Sequence, residues 1–241
     1  MDLICEYSSS EEEVEEILEE RVTKRVRTDL PAASTIFKSD DKSHYEDPLN
    51  HQGRTRAVPH EAGNWATFVF IPYSGDELTE MWEHFSAQYP NYQIQNIEEP
   101  HLSLTRTIFL RHHWIEDFVK GVASTAQHVP RFKLRLANFE TYTNEEKTRT
   151  FIAAKVEPID NLILLVKKLD GLLNEYGLQE YYKDPSFHIS FAWCLGDHSE
   201  GIRSGFKSKF SAEPLLTEVL NVQELVCKCA HKVYKLSLCD R

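Results

Sequence analysis

The stretch FHISFAWCL, residues 187–195, decides the fold, because its first half repeats the pattern of PHLSLT, residues 100–105. Both read as strand. In an extended chain alternate side chains share a face, about 6.6 Å apart along the strand. His101 and Ser103 therefore lie on one face while Leu102 points the other way, and His188 and Ser190 do the same about Ile189. Each strand offers an imidazole and a hydroxyl on one side and an apolar contact on the other. A third H-x-S, His84 and Ser86, falls in a helical pattern, where i and i+2 point to nearly opposite sides, and is read as coincidence.

Working outward, strand and helix patterns alternate. Strand 65–72, closed by Pro72, precedes a helix over 76–89 with Leu78, Met81, Trp82 and Phe85 inward. Strand 101–109, helix 112–126 and strands 132–142 and 149–157 follow. A helix over 160–176 stops at Gly177, strand 187–195 comes next, and strand-like runs at 222–229 and 231–238 end the chain. The order predicts an α+β fold with antiparallel pairing. Two His-Ser strands with nearby helices predict two pseudo-symmetric lobes, antiparallel sheets flanked by helices, around a central cleft.

The 241 residues suffice for a sizeable core, and no run approaches the roughly 18 apolar residues of a membrane span. The start, MDLICEYSSSEEEVEE, is unlike a secretory signal. Five scattered cysteines fit reduced thiols inside the cell, and the strand residues Cys227 and Cys229 read as packing. The net charge of −11 is a property of the N-terminus: residues 1–20 hold nine acidic and no basic residues, and the rest has 29 acidic against 27 basic. Residues 1–60 are read as an acidic, largely disordered tail with a basic patch at KRVR, and 61–241 as one folded domain that carries both His-Ser strands. An amphipathic stripe of Val14, Ile17, Leu18 and Val22 is the competing reading of the tail.

Two imidazoles and two hydroxyls on facing strands suit phosphodiester cleavage. Imidazoles take and give protons near neutral pH. Serine hydroxyls hydrogen-bond non-bridging phosphate oxygens. With RNA as substrate the 2′-hydroxyl is the nucleophile, so neither a protein nucleophile nor a metal or other cofactor is required. The chain has no H-E-x-x-H, Walker loop or G-x-S-x-G elbow, and the adjacent His112 and His113 read as an exposed pair.

H-h-S-h (h apolar) on two strands resembles the two-histidine (2H) phosphoesterases. GNWATFVFIPY, EEPHLSLTRT, FETYTNEEKTRTFIAAKV and EYYKDPSFHISFAWCLGD are similar to the eukaryotic branch that trims the 3′ end of U6 small nuclear RNA. The resemblance runs from about residue 63 to the C-terminus. It implies a nuclear, monomeric, metal-independent 3′-to-5′ RNA exonuclease that removes terminal uridines or adenosines and leaves a 2′,3′-cyclic phosphate. It implies His101 as base, His188 as acid, and Ser103 and Ser190 as phosphate holders. Tyr182 matches the platform for a terminal base, with Tyr181 its easily confused neighbour. Pro185, Ser186 and Phe187 would meet the nucleotide, and Glu145, Lys147 and Arg149 in a polar hairpin turn would contact RNA. The alternatives are a 2′,3′-cyclic nucleotide phosphodiesterase of the same superfamily and a non-catalytic RNA- or nucleotide-binding module.

Overall fold

The computed structural model describes residues 61, 63–144, 146–209 and 218–240. The tail readings, including the stripe at 14–22 and the KRVR patch, and the Glu145 expectation lie outside the described residues.

Ten strands form one antiparallel sheet. They are β1 (Asn64–Pro72), β2 (Gln95–Asn96), β3 (His101–Ser103), β4 (Ile108–Arg111), β5 (Phe132–Thr143), β6 (Arg149–Val156), β7 (His188–Leu195), β8 (Val219–Val222), β9 (Glu224–Cys229) and β10 (Lys232–Ser237). The spatial order is β10-β9-β1-β3-β7-β6-β5-β8, with β4 also on β1 and β2 also on β7. Two five-stranded halves thus meet at the two His-Ser strands. Their ladder there is short and centres on Leu102 opposite Ile189.

The covalent chain requires this sheet to curl. Strands β8 and β9 are separated by one residue, Gln223, yet six strand spacings lie between them in the sheet. A flat sheet would put them about 29 Å apart, whereas two Cα steps reach only about 7 Å. The outer strands must therefore approach each other. The backbone bond from Leu238 N–H to the Gln223 carbonyl fastens the crossing at 2.8 Å.

Among the described residues four helices, α1 (Glu77–Gln88), α2 (Ile115–Gln127), α3 (Asp160–Glu175) and α4 (Ser199–Lys209), supply the apolar cover. In α3, Leu162, Leu165, Val166, Leu169 and Leu173 recur at three- and four-residue spacing and are buried. Gly177, at φ 64°, ends this helix: its N–H reaches the Asn174 carbonyl and Leu178 N–H reaches Leu173. From α1, Phe85 meets Phe139 of β5 and Phe191 of β7. Cys227 and Cys229 are buried with their sulfurs 3.9 Å apart, as packing residues.

Two strand expectations are corrected. The run 101–109 is interrupted: the Thr105 hydroxyl accepts the Val69 N–H, taking the place of a ladder carbonyl, and the chain loops out before β4 re-pairs with β1. The run 222–229 is two strands, because Val222 pairs with β5 whereas the residues after Gln223 pair with β1.

Candidate active site

The register builds the site. With Leu102 opposite Ile189 in an antiparallel pair, His101 falls opposite Ser190 and His188 opposite Ser103. All four share the face away from Leu102 and Ile189, which are both fully buried. Directly opposed side chains start about 5 Å apart and diagonal ones, here the two histidines, about 7–8 Å. A phosphate group fits between them.

The histidines are held alike. His101 Nδ1 lies 2.8 Å from the Glu99 carbonyl, and His188 Nδ1 lies 2.6 Å from the Ser186 carbonyl. A carbonyl only accepts, so each neutral ring carries its proton on Nδ1 and leaves Nε2 as the basic nitrogen. Aromatic rings back both imidazoles. Phe70 is 4.7 Å from His101, and Tyr142 stacks on His188 at 4.0 Å and 18°. The Tyr142 hydroxyl and the Ser186 hydroxyl are 2.8 Å apart. Burial pulls the His188 pKa below its usual value, opposed by the Ser186 carbonyl and assisted by the nearby His101. Among the described residues, the Ser103 and Ser190 hydroxyls make no hydrogen bond, and no group of three or more His, Cys, Asp or Glu is placed to hold a metal ion.

Tyr182 stands at the His188 end. It is 48% exposed, and the Arg106 guanidinium lies 3.8 Å over its ring. Tyr181 is the half-buried partner: its hydroxyl donates to the Ser103 carbonyl at 3.0 Å, and burial pushes its pKa up to about 12. The pair thus divides into a support and an exposed platform. Pro185 and Ser186 border a groove with Lys155 beside His188.

Phe187 lines the same groove, with a ring that is 4% exposed and packs into the core, because alternation turns it away from the face of His188. Lys147 and Arg149 separate. Lys147, at φ 53° in the hairpin turn, is 3.9 Å from Asp197. Arg149 opens β6 and lies over Phe151 at 5.8 Å. Tyr142 and Arg106 were missed. FETYTN gave no sign that its second aromatic would reach His188, and Arg106 stood in a segment read as continuous strand.

A protein-family model described as "HVSL: Uncharacterised conserved protein" matches residues 29–237. The chain is 34% identical to U6 snRNA phosphodiesterase 1 of Xenopus laevis, over 98% of this chain and 99% of that protein. It is 35% identical to U6 snRNA phosphodiesterase 1 of Danio rerio, over 88% of this chain and 81% of that protein. Among solved structures it is similar to E. coli LigT complexed with NADP+, with a TM-score of 0.50 and 17% identity, over 74% of this chain and all of that one. That likeness concerns the fold.

Proposed function

This chain belongs to the U6 snRNA phosphodiesterase 1 family, and from that premise we propose that it is a nuclear RNA phosphodiesterase that trims the 3′ end of U6 small nuclear RNA. It works as a metal-independent 3′-to-5′ exonuclease on a terminal oligo(U) or A tail, as a monomer, and leaves a 2′,3′-cyclic phosphate. The observation that carries the reading is the cross-strand register, which sets each histidine opposite the other strand's serine on one face.

In this mechanism His101 Nε2 removes the proton of the 2′-hydroxyl on the 5′ side of the scissile phosphate. The 2′-oxygen forms a bond to phosphorus, the bond from phosphorus to the 5′-oxygen breaks, and protonated His188 gives its proton to the departing oxygen. Ser103 and Ser190 donate to the non-bridging oxygens, where charge grows. Burial favours the neutral form of His188 in the free protein. A phosphodiester anion placed between the rings favours the charged form and reloads the acid. Tyr182 stacks the base of the leaving nucleoside, a contact that accepts uracil or adenine. Phe187 supports this end from the core.

The test is a 5′-labelled RNA ending in oligo(U), incubated in EDTA with the wild type, His101→Ala and His188→Ala. The expected result is a ladder shortening from the 3′ end in the wild type alone, with ends that acid opens and phosphatase then removes. A 2′-deoxy nucleotide on the 5′ side of the scissile phosphate should block cleavage. Equal cleavage of an all-DNA oligomer would overturn the mechanism.

A further inference from the structure

We propose that the groove at the His101 end of the cleft binds the nucleotide on the 5′ side of the scissile phosphate, the one whose 2′-hydroxyl attacks. The inference rests on the functional reading above and gives the substrate a direction across the site. The groove encloses about 560 Å³, within the range of small-molecule sites. Its floor is Phe151 and Trp193, its walls are Trp82 of α1 and the amides of Gln95 and Asn96, and Arg149 stands at one side.

The strand registers place this groove on the same face as the histidines. Ala153 pairs with Ser190, so the alternate residues Arg149, Phe151 and Ala153 of β6 share that face. On β7 alternation alone would turn Trp193 away from Ser190. The register shifts there: Ile152 pairs with Ala192 while Ala153 pairs with Ser190, which leaves Phe191 as the extra residue of a bulge. The bulge returns Trp193 to the cleft face, opposite Phe151 and also opposite Gln95 of β2. Glu99, whose carbonyl holds His101, lies on the groove's rim. From one end to the other the order is Tyr182, then His188 with Ser103, then His101 with Ser190, then the groove.

The lining suits a nucleotide. Half-buried Phe151 and Trp82 present ring surface on which a base can stack. Arg149 makes no ion pair among the described residues, and its guanidinium is available to the next phosphate upstream. Gln95 and Asn96 carry both donors and acceptors for a base edge. The Glu99 carboxylate is neutralised by Lys228 at 3.0 Å. That of Glu98 is exposed at the rim, where it repels phosphate and accepts base N–H groups. A leaving nucleoside at the Tyr182 end, beside the acid His188, puts the attacking ribose beside His101 and its base in the groove.

The decisive measurement is binding, by fluorescence anisotropy, of a 5′-labelled oligouridylate made uncleavable by a 2′-deoxy penultimate nucleotide. Its companions lack either the penultimate or the terminal base. In the wild type, loss of the penultimate base should weaken binding about five- to hundredfold. Phe151→Leu with Arg149→Gln should erase that sensitivity and keep the penalty for the missing terminal base. Tyr182→Ala should do the reverse. Should the double variant melt early, Arg149→Gln and Asn96→Ala singly reduce the same penalty without opening the core. Equal binding of the penultimate-abasic RNA by the wild type, or an unchanged penalty in folded groove variants, would overturn the proposal, as would exchange of the two patterns. The probe is uncleavable, so this result stands apart from turnover. Failure of the wild type to shorten RNA in EDTA would count against the proposed function and leave the groove to be decided by binding.

Discussion

His188 is caught between burial, which disfavours its charge, and a role that needs its proton. The stack with Tyr142 supplies part of that burial. Followed by NMR, the His188 imidazole should titrate below the ordinary value of about 6.5, and Tyr142→Ala should move the midpoint upward by letting water in. The sign for stability follows. Above about 6.5 both folded and unfolded chains hold the ring neutral, and the group contributes nothing. As pH falls below that value the unfolded chain takes up the proton first, so stability declines until the folded ring also titrates. A midpoint at or above 6.5 in the wild type would remove burial as the dominant influence. Ser103 invites a simpler test. Its hydroxyl serves no described partner, so Ser103→Ala should leave the melting temperature within about a degree and lower kcat about 100- to 1000-fold. An equal loss of stability would mark it as structural instead.

At the level of elements, α3 shows what a helix end contributes. Gly177 holds φ 64°, and an added Cβ would meet nothing within 4 Å. Gly177→Ala therefore isolates backbone strain and should cost about 1–2 kcal/mol, read as a lower urea midpoint with unchanged slope. The same helix was legible in the sequence because its apolar spacing and its stop signal agree. The His-Ser strands were legible for the same reason: alternation placed His101, Ser103, His188 and Ser190 before any pairing was known. What alternation could not give was the phase beyond Ser190. Read straight through, Cys194 would join His188 on the cleft face and Trp193 would enter the core. The bulge at Phe191 reverses this, leaving Cys194 1% exposed within the core and Trp193 over the groove. Likewise, nothing local marks Thr105 as the residue whose hydroxyl replaces a ladder acceptor and turns Arg106 toward Tyr182. Bulges and side-chain substitutions in a ladder depend on the partner strand, and the partner is distant in sequence.

Across the whole molecule, the two halves look separable in the sheet but are not separable in the chain. The half bearing His101 is built from β1, β3, β4, β9 and β10, and the half bearing His188 from β2 and β5–β8. The chain therefore crosses between them four times, with β2 pairing into the second half before β3 returns to the first. The last crossing is the single residue Gln223. Neither half can form its full sheet from a continuous segment, so neither should be stable while the other is unfolded. The seam adds to this coupling, since Leu102 and Ile189 are fully buried on the face opposite the histidines and belong to one core. Native-state hydrogen exchange should find the most protected amides of β9, such as Val226, and of β6, such as Ile152, opening with the same free energy and the same denaturant dependence. Leu102→Ala should lower both together by about 2–5 kcal/mol. Two distinct opening energies, with only the first half responding to the substitution, would show that the halves unfold separately. In that case the alignment of His101 with Ser190 would depend on docking between independent units. Common opening instead ties the geometry of the catalytic pair to the global stability of the fold, so that a core substitution far from the cleft can reduce activity only by unfolding the whole sheet or by shifting the seam.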